Sequence, residues 1–296
     1  MFDGCKKLTK VGQIIAETLA EGCYANMFNG CTSLQTIASI PQCTTAKSCF
    51  MNMFSGCCDL LVAPSISSTT LAPSCYEGMF SGCGSLTQAP TLSAIELATS
   101  CYKNMFNGCT GLVSEIEGNE EYNNLFKDLL PATTLAESCY ERMFLGCTSL
   151  TQAPDLLAMK LEDKCYAYMF YNCTSLNKIE VAFEAWQASA LESWMEGVAN
   201  AGIFVAFKLN KLVSEKRELT RGVNYIPSGW IIQDIHTYYG NNYYMGYNGV
   251  VGIVFDYNNY KFNGSSYDLL YSSLITNKNG VCYRLFYGDD YNVSFG

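Results

Sequence analysis

A nine-residue string, Cys-Tyr-x-x-Met-Phe-x-Gly-Cys, recurs along this chain. It reads CYANMFNGC from Cys23 to Cys31, CYEGMFSGC from Cys75 to Cys83, CYKNMFNGC from Cys101 to Cys109 and CYERMFLGC from Cys139 to Cys147. CFMNMFSGC (Cys49 to Cys57) and CYAYMFYNC (Cys165 to Cys173) are near copies. The first cysteines stand at 23, 49, 75 and 101, a step of 26 residues, and the step resumes from 139 to 165. A fixed period of this length marks stacked repeat units, none of which can bury its apolar face alone. It predicts an α/β solenoid, and solenoids serve far more often as binding surfaces than as enzymes.

Ser74 to Leu97 illustrates the unit. Ser74, with Glu77 three residues on, has the spacing of a capping box, and Ser138 and Glu141 repeat it. Cys75, Met79 and Cys83 fall at i, i+4 and i+8, and Tyr76 and Phe80 form an adjacent pair. This spacing predicts a short helix of about two turns with one apolar face. Gly30, Gly56, Gly82, Gly108 and Gly146 sit where a left-handed residue closes a helix, and Asn172 fills that slot in the last copy. A leucine follows each second cysteine at a fixed offset (Leu34, Leu60, Leu86, Leu112, Leu150, Leu176). A short strand is expected next, limited by Pro64, Pro90 and Pro154. A second leucine precedes the next unit at Leu19, Leu71, Leu97, Leu135 and Leu161. Each 26-residue repeat thus reads as one short strand plus one short helix.

Twelve of the sixteen cysteines are the two fixed positions of the six copies. Position-locked cysteines in a stack are small buried hydrophobes, and apolar burial raises their pKa and makes them inert. Their eight-residue separation does not suit a zinc site. A bridge between Cys43 and Cys58, which stand outside the ladder with Cys282, is left open. No metal site and no cofactor is expected.

The stretch from Cys139 to Leu161, with its CYxxMFxGCTSLTxAPxL pattern, resembles the BspA-type leucine-rich repeats of bacterial surface proteins. The resemblance covers residues 1–178. It implies a leucine-rich-repeat solenoid, display at the cell surface or by secretion, and adhesion to protein or glycan ligands of host or microbial origin. It brings no catalytic residues. Residues 179–235, through GVANAGIFVAFK and IPSGWIIQ, resemble the C-terminal region that follows such repeats and are expected to cap the stack. Within them Ser189 to Val198 reads as a helix closed by Gly202, followed by strands at Ile203–Phe207 and Trp230–Ile235. Trp186, Trp194 and Trp230 are expected in the core of the cap.

Residues 236–296 hold twelve tyrosines among many Asn, Gly and Ser. Asn-Gly pairs within YNG (Tyr247–Gly249), FNG (Phe262–Gly264) and KNG (Lys278–Gly280) separate short β-prone runs and predict hairpins of a small all-β module.

The net charge of −9 argues against nucleic acid and against an electrostatic hold on anionic membranes. No apolar run has the length of a membrane-spanning helix. The only histidine, His236, lies at a module junction, and no phosphate loop or nucleophile elbow occurs. The expectation is a non-enzymatic binding protein. Met1-Phe2-Asp3-Gly4-Cys5 is the tail of a further copy, so the chain reads either as part of a longer protein or as one exported without a leader, such as a phage virion component that binds a receptor.

Three places could carry ligands. With Leu86 and Ala89 inward, the outward strand positions are Gln88 and Pro90, with Val62 and Pro64, and Gln152 and Pro154, as equivalents. The step from Cys101 to Cys139 is 12 residues longer than the period, and the surplus lies within Val113 to Leu130, a stretch that carries Glu115, Glu117, Glu120 and Glu121. Such an insertion reads as a binding loop or simply as a solvated one. In the last module Tyr243 and Tyr244 could stack on sugars, or merely fill a thin sheet.

Overall fold

The computed structural model describes residues 1–183, 186–206, 226–227 and 229–234, together with the backbone of six short strands beyond residue 242. The expected helix of the repeat does not form. Cys75, Glu77, Met79, Ser81 and Cys83 each donate their N–H to the carbonyl three residues back, closing overlapping four-residue turns. The intervening N–H groups of Tyr76, Gly78, Phe80 and Gly82 donate instead to Cys101, Lys103, Met105 and Asn107 of the next copy, at 2.7–3.0 Å. Every fourth residue is left-handed: Ser74 (φ 52), Gly78 (φ 63) and Gly82 (φ 76).

The physical reason lies in that left-handed residue. It breaks the α-helix and resets the chain every four residues, so i, i+4 and i+8 lie on one face without the rotational drift of a 3.6-residue turn. Half of the N–H groups are then free to join neighbouring copies. Ser74 and Ser138 (φ 55) are therefore turn residues rather than helix caps, because an N-cap has an extended backbone. The expected left-handed positions are found: Gly30, Gly56, Gly82, Gly108, Gly146 and Asn172 all have positive φ.

The side chains on this ribbon are core. Phe2, Phe28, Phe54, Phe80, Phe106, Phe144 and Phe170 form one column, with successive ring centroids 5.5–5.8 Å apart. Tyr24, Phe50, Tyr76, Tyr102, Tyr140 and Tyr166 form a second, at 5.4–6.0 Å. Both columns stack nearly parallel, an arrangement favourable beyond the area it buries. Eleven ladder cysteines are buried and free. Cys23, at the start of the ladder, is exposed, as are Cys5 and Cys58, and Cys43 and Cys58 are not bridged.

Opposite the ribbon, Leu34, Leu60, Leu86, Leu112, Leu150 and Leu176 are fully buried. The residue after the leucine bonds back by one period, as in Gln35 N to Thr9 O (2.9 Å) and Asn177 N to Thr151 O (2.9 Å). Regular strands form only towards the ends of the repeat region. β1 (Lys10–Gln13) pairs in parallel with β2 (Thr36–Ser39), and β3 (Lys178–Val181), β4 (Gly202–Ala206) and β5 (Trp230–Asp234) form a parallel sheet. In between, only isolated bridges occur, such as Glu96 with Thr134. Pro64, Pro90 and Pro154 lie in that middle region, and each removes a ladder donor.

The ribbon continues past residue 178. Tyr166, Tyr168, Phe170 and Asn172 donate to Ala190, Glu192, Trp194 and Glu196. Ser193 (φ 47) and Gly197 (φ 77) are left-handed. Ala190-Leu191-x-x-Trp194-Met195-x-Gly197-Val198 is thus a seventh copy in different residues, not the expected helix, and Gly202 begins β4 instead of closing one. Trp194 and Trp230 are buried, while Trp186 is half-buried. Trp194 packs edge-on to Phe183, Trp186 and Phe204 at 5.9–6.2 Å.

The insertion is not a loop. It folds into α1 (Glu120–Lys127), capped by the Asn119 side chain, which accepts from Tyr122 N, with Tyr122 and Phe126 buried.

Further on, β6 (Tyr243–Tyr247) pairs antiparallel with β7 (Gly252–Asp256), β8 (Tyr260–Phe262) with β9 (Tyr267–Leu269), and β10 (Ile275–Thr276) with β11 (Cys282–Tyr283). Each connection contains one of the three Asn-Gly pairs. His236 lies outside the described residues, as do the side chains of Tyr243, Tyr244 and Cys282. Among the described residues no helix is long and apolar enough to cross a membrane.

Candidate functional site: a polar cleft beside the insertion helix

α1 is held by its two aromatic residues. The Tyr122 hydroxyl donates to Val113 O (2.7 Å) and accepts from Ala89 N (3.3 Å), so one side chain satisfies two backbone groups of neighbouring repeats. Phe126 reaches the phenylalanine column, 6.3 Å from Phe144. The preceding loop is fixed by Asn123, whose carboxamide accepts from Ile116 N (2.7 Å) and donates to Ile116 O (3.3 Å).

Between this helix and the repeats lies a cleft of about 450 Å³, within the usual range for ligand pockets. α1 contributes Glu120, Asn123, Asn124 and Lys127 from one face, over Phe126. The repeats contribute Ser114, Glu115, Gln152, Ala153 and Asp155, and β3 contributes Lys178 and Glu180. The floor is cross-linked. Ser114 Oγ accepts from Gln152 N (3.1 Å) and lies 2.7 Å from Thr151 Oγ1. Gln152 Nε2 donates to Glu115 Oε1. Asp155 N donates to Lys127 O (2.9 Å), while Lys127 Nζ stands 3.8 Å from Asp155 Oδ2.

The Asp155 carboxyl is pushed up to about 7, first by burial and then by the charge of Glu180, with Lys127 and Lys178 opposing. Near neutral pH the ionised form, which only accepts, coexists with the protonated form, which can also donate. Among the described residues no group of three or more His, Cys, Asp or Glu is placed to hold a metal ion.

Of the positions singled out from sequence, Glu115, Glu120 and Gln152 line the cleft. Glu117, Glu121 and Gln88 are exposed but do not line it. Pro90 and Pro154 are buried and so are not outward positions, and Pro64 behaves likewise while Val62 is exposed. Ala89 and Pro90 are buried in succession, as are Ala153 and Pro154. The stretch is no regular strand, so inward and outward positions do not alternate. Sequence reasoning missed Asn124, Lys127, Asp155, Lys178 and Glu180. The spacing of Glu120, Asn124 and Lys127 signals a shared face only once the insertion is read as a helix.

No family model and no curated protein matches the chain. A leucine-rich repeat protein from Bacteroides ovatus is a structural neighbour at 16% identity and a TM-score of 0.24, over 80% of this chain and 77% of that one.

Proposed function

We propose that this chain is a non-catalytic binding protein of the BspA-type leucine-rich-repeat kind, displayed outside the cell. It presents its stacked repeats to a protein or glycan ligand at the cleft beside α1. The observation that carries this reading is the cleft itself. The interruption of the period supplies a helix anchored in the core by Tyr122 and Phe126, and that helix builds a polar recess against an otherwise regular stack. A rigid scaffold with a recess built from its irregular segment is the usual layout of a binding repeat protein. The non-catalytic part of the reading is supported by the buried thiols, whose pKa burial raises, as for Cys75 to about 12.

The test is binding of the intact chain to panels of extracellular-matrix proteins and glycans, repeated with Glu120→Ala and Asn124→Ala. Binding that both substitutions weaken supports the proposal. No binding across both panels, or binding that neither substitution changes, contradicts it.

A further inference from the structure

If the cleft is the ligand site, its lining restricts what can enter. Glu115, Glu120, Asp155 and Glu180 repel an anion. Only Phe126 and Ala153 are apolar there, so an apolar ligand would strand polar groups without partners. A cation would meet the four carboxylates but also two ammonium groups, those of Lys127 and Lys178, already inside. Lys127 stands 3.8 Å from the Asp155 carboxyl. Those two ammonium groups offset part of the carboxylate charge, and Asp155, raised to about 7, is partly neutral near that pH. What the lining offers an incoming molecule is a dense set of hydrogen-bond donors and acceptors.

We infer that the cleft takes a neutral polyhydroxyl ligand, a single sugar unit of a glycan. Asn124 on α1 and Gln152 on the facing repeat make the defining contacts. This rests on the cleft being the ligand site, as proposed above. A carboxamide offers donor and acceptor side by side, which matches vicinal hydroxyls, each of which both donates and accepts. Asn124 is exposed at the mouth and Gln152 is half-buried, linked to Glu115. Asp155, titrating near neutrality, can serve either role towards a hydroxyl. Asn123 is excluded from recognition because Ile116 already occupies its carboxamide.

The experiment titrates the intact chain, labelled with ¹⁵N, with neutral methyl glycosides of glucose, galactose, mannose and N-acetylglucosamine. A lysine-rich peptide provides a parallel arm. Amide shifts are followed, and the proteins are the parent, Asn124→Ala, Gln152→Ala and the remote Gln88→Ala. The expected result is saturable shifts in α1 and β3 with at least one glycoside. Each cleft substitution should weaken binding about tenfold or more, and Gln88→Ala should leave it unchanged. Saturable shifts with no glycoside overturn the inference, as do affinities unmoved by Asn124→Ala and Gln152→Ala. Cleft shifts with the peptide and none with a glycoside overturn the sugar while leaving the cleft standing as a binding site. Silence in both arms overturns the inference and counts against the site as well.

Discussion

Each second cysteine of the string donates its thiol hydrogen to the phenylalanine carbonyl of the preceding copy: Cys83 to Phe54 (3.2 Å), Cys109 to Phe80 (3.0 Å), Cys147 to Phe106 (3.1 Å) and Cys173 to Phe144 (2.9 Å). The same carbonyl already accepts the N–H of its own cysteine, as Phe80 O does from Cys83 N. A thiol therefore fills both the volume and the second lone pair, which explains cysteine here better than size alone. Cys109→Val keeps the bulk and loses the donor, and should destabilise by about 1 kcal/mol. The shift in denaturant midpoint at constant slope measures it, and no shift would show that the bond contributes nothing. Burial of these positions was legible in the sequence. Their bond was not, because its partner lies in the preceding copy, 29 residues away or, across the insertion, 41. A neighbouring column shows the reverse case. The Tyr76 hydroxyl bonds Ser68 Oγ (3.1 Å), whereas the buried Tyr102 hydroxyl has no partner, and Ala94 occupies the position equivalent to Ser68. Ala94→Ser should stabilise by about 1 kcal/mol, read as a higher midpoint. An unchanged or lowered midpoint would mean that the new hydroxyl does not reach Tyr102.

At the scale of elements, the turn ribbon and the short helix share the i, i+4, i+8 spacing, which is why spacing alone suggested a helix. The distinguishing signal is the residue at every fourth position. Gly22, Asn26 and Gly30, then Ser48, Asn52 and Gly56, then Ser74, Gly78 and Gly82 all have positive φ. Two of the three residue types, glycine and asparagine, are those that best tolerate this backbone. Arg142, Lys164 and Tyr168 also adopt it, so the ribbon is imposed by its neighbours once enough copies specify it. α1 depends on fewer contacts. Tyr122→Phe leaves Val113 O and Ala89 N without the hydroxyl and should destabilise by about 1–3 kcal/mol. A change below about 0.3 kcal/mol would show that solvent replaces the hydroxyl fully. The cleft beside the helix adds a pH dependence. The Asp155 carboxyl is raised to about 7 in the fold, from an ordinary value of 3.8. Between these values the folded chain holds a proton that the unfolded chain has lost. Its contribution to stability is therefore fully present below about pH 4 and is lost as pH rises towards 7. Asp155→Asn removes this component, so the variant should gain stability relative to the parent as pH rises from 4 to 7. Midpoints of both proteins at several pH values measure the gain, and a constant difference would contradict it.

For the whole molecule, the period is what persists as residue types change. The seventh copy keeps Gly197 in register, with Met195 in the place of phenylalanine, yet it accepts the same four bonds at 2.7–3.0 Å as its predecessors. Cysteine spacing does not reveal it, because the ribbon requires apolar volume and left-handed backbone, not thiols. The hairpins beyond it were legible because Asn-Gly is a local signal. The cleft was not, because it joins an insertion to repeats that the chain reaches some 30–60 residues later. The central claim is that copies are tied to one another through every second N–H of the ribbon. Scalar couplings across hydrogen bonds, measured by NMR on the ²H,¹³C,¹⁵N-labelled protein, test it directly. The account predicts correlations from Phe80 N to Met105 C′ and from Phe106 N to Met143 C′, matching bonds of 2.9 Å. Correlations from Phe80 N to Tyr76 C′, four residues back, would instead show a helix and contradict the account.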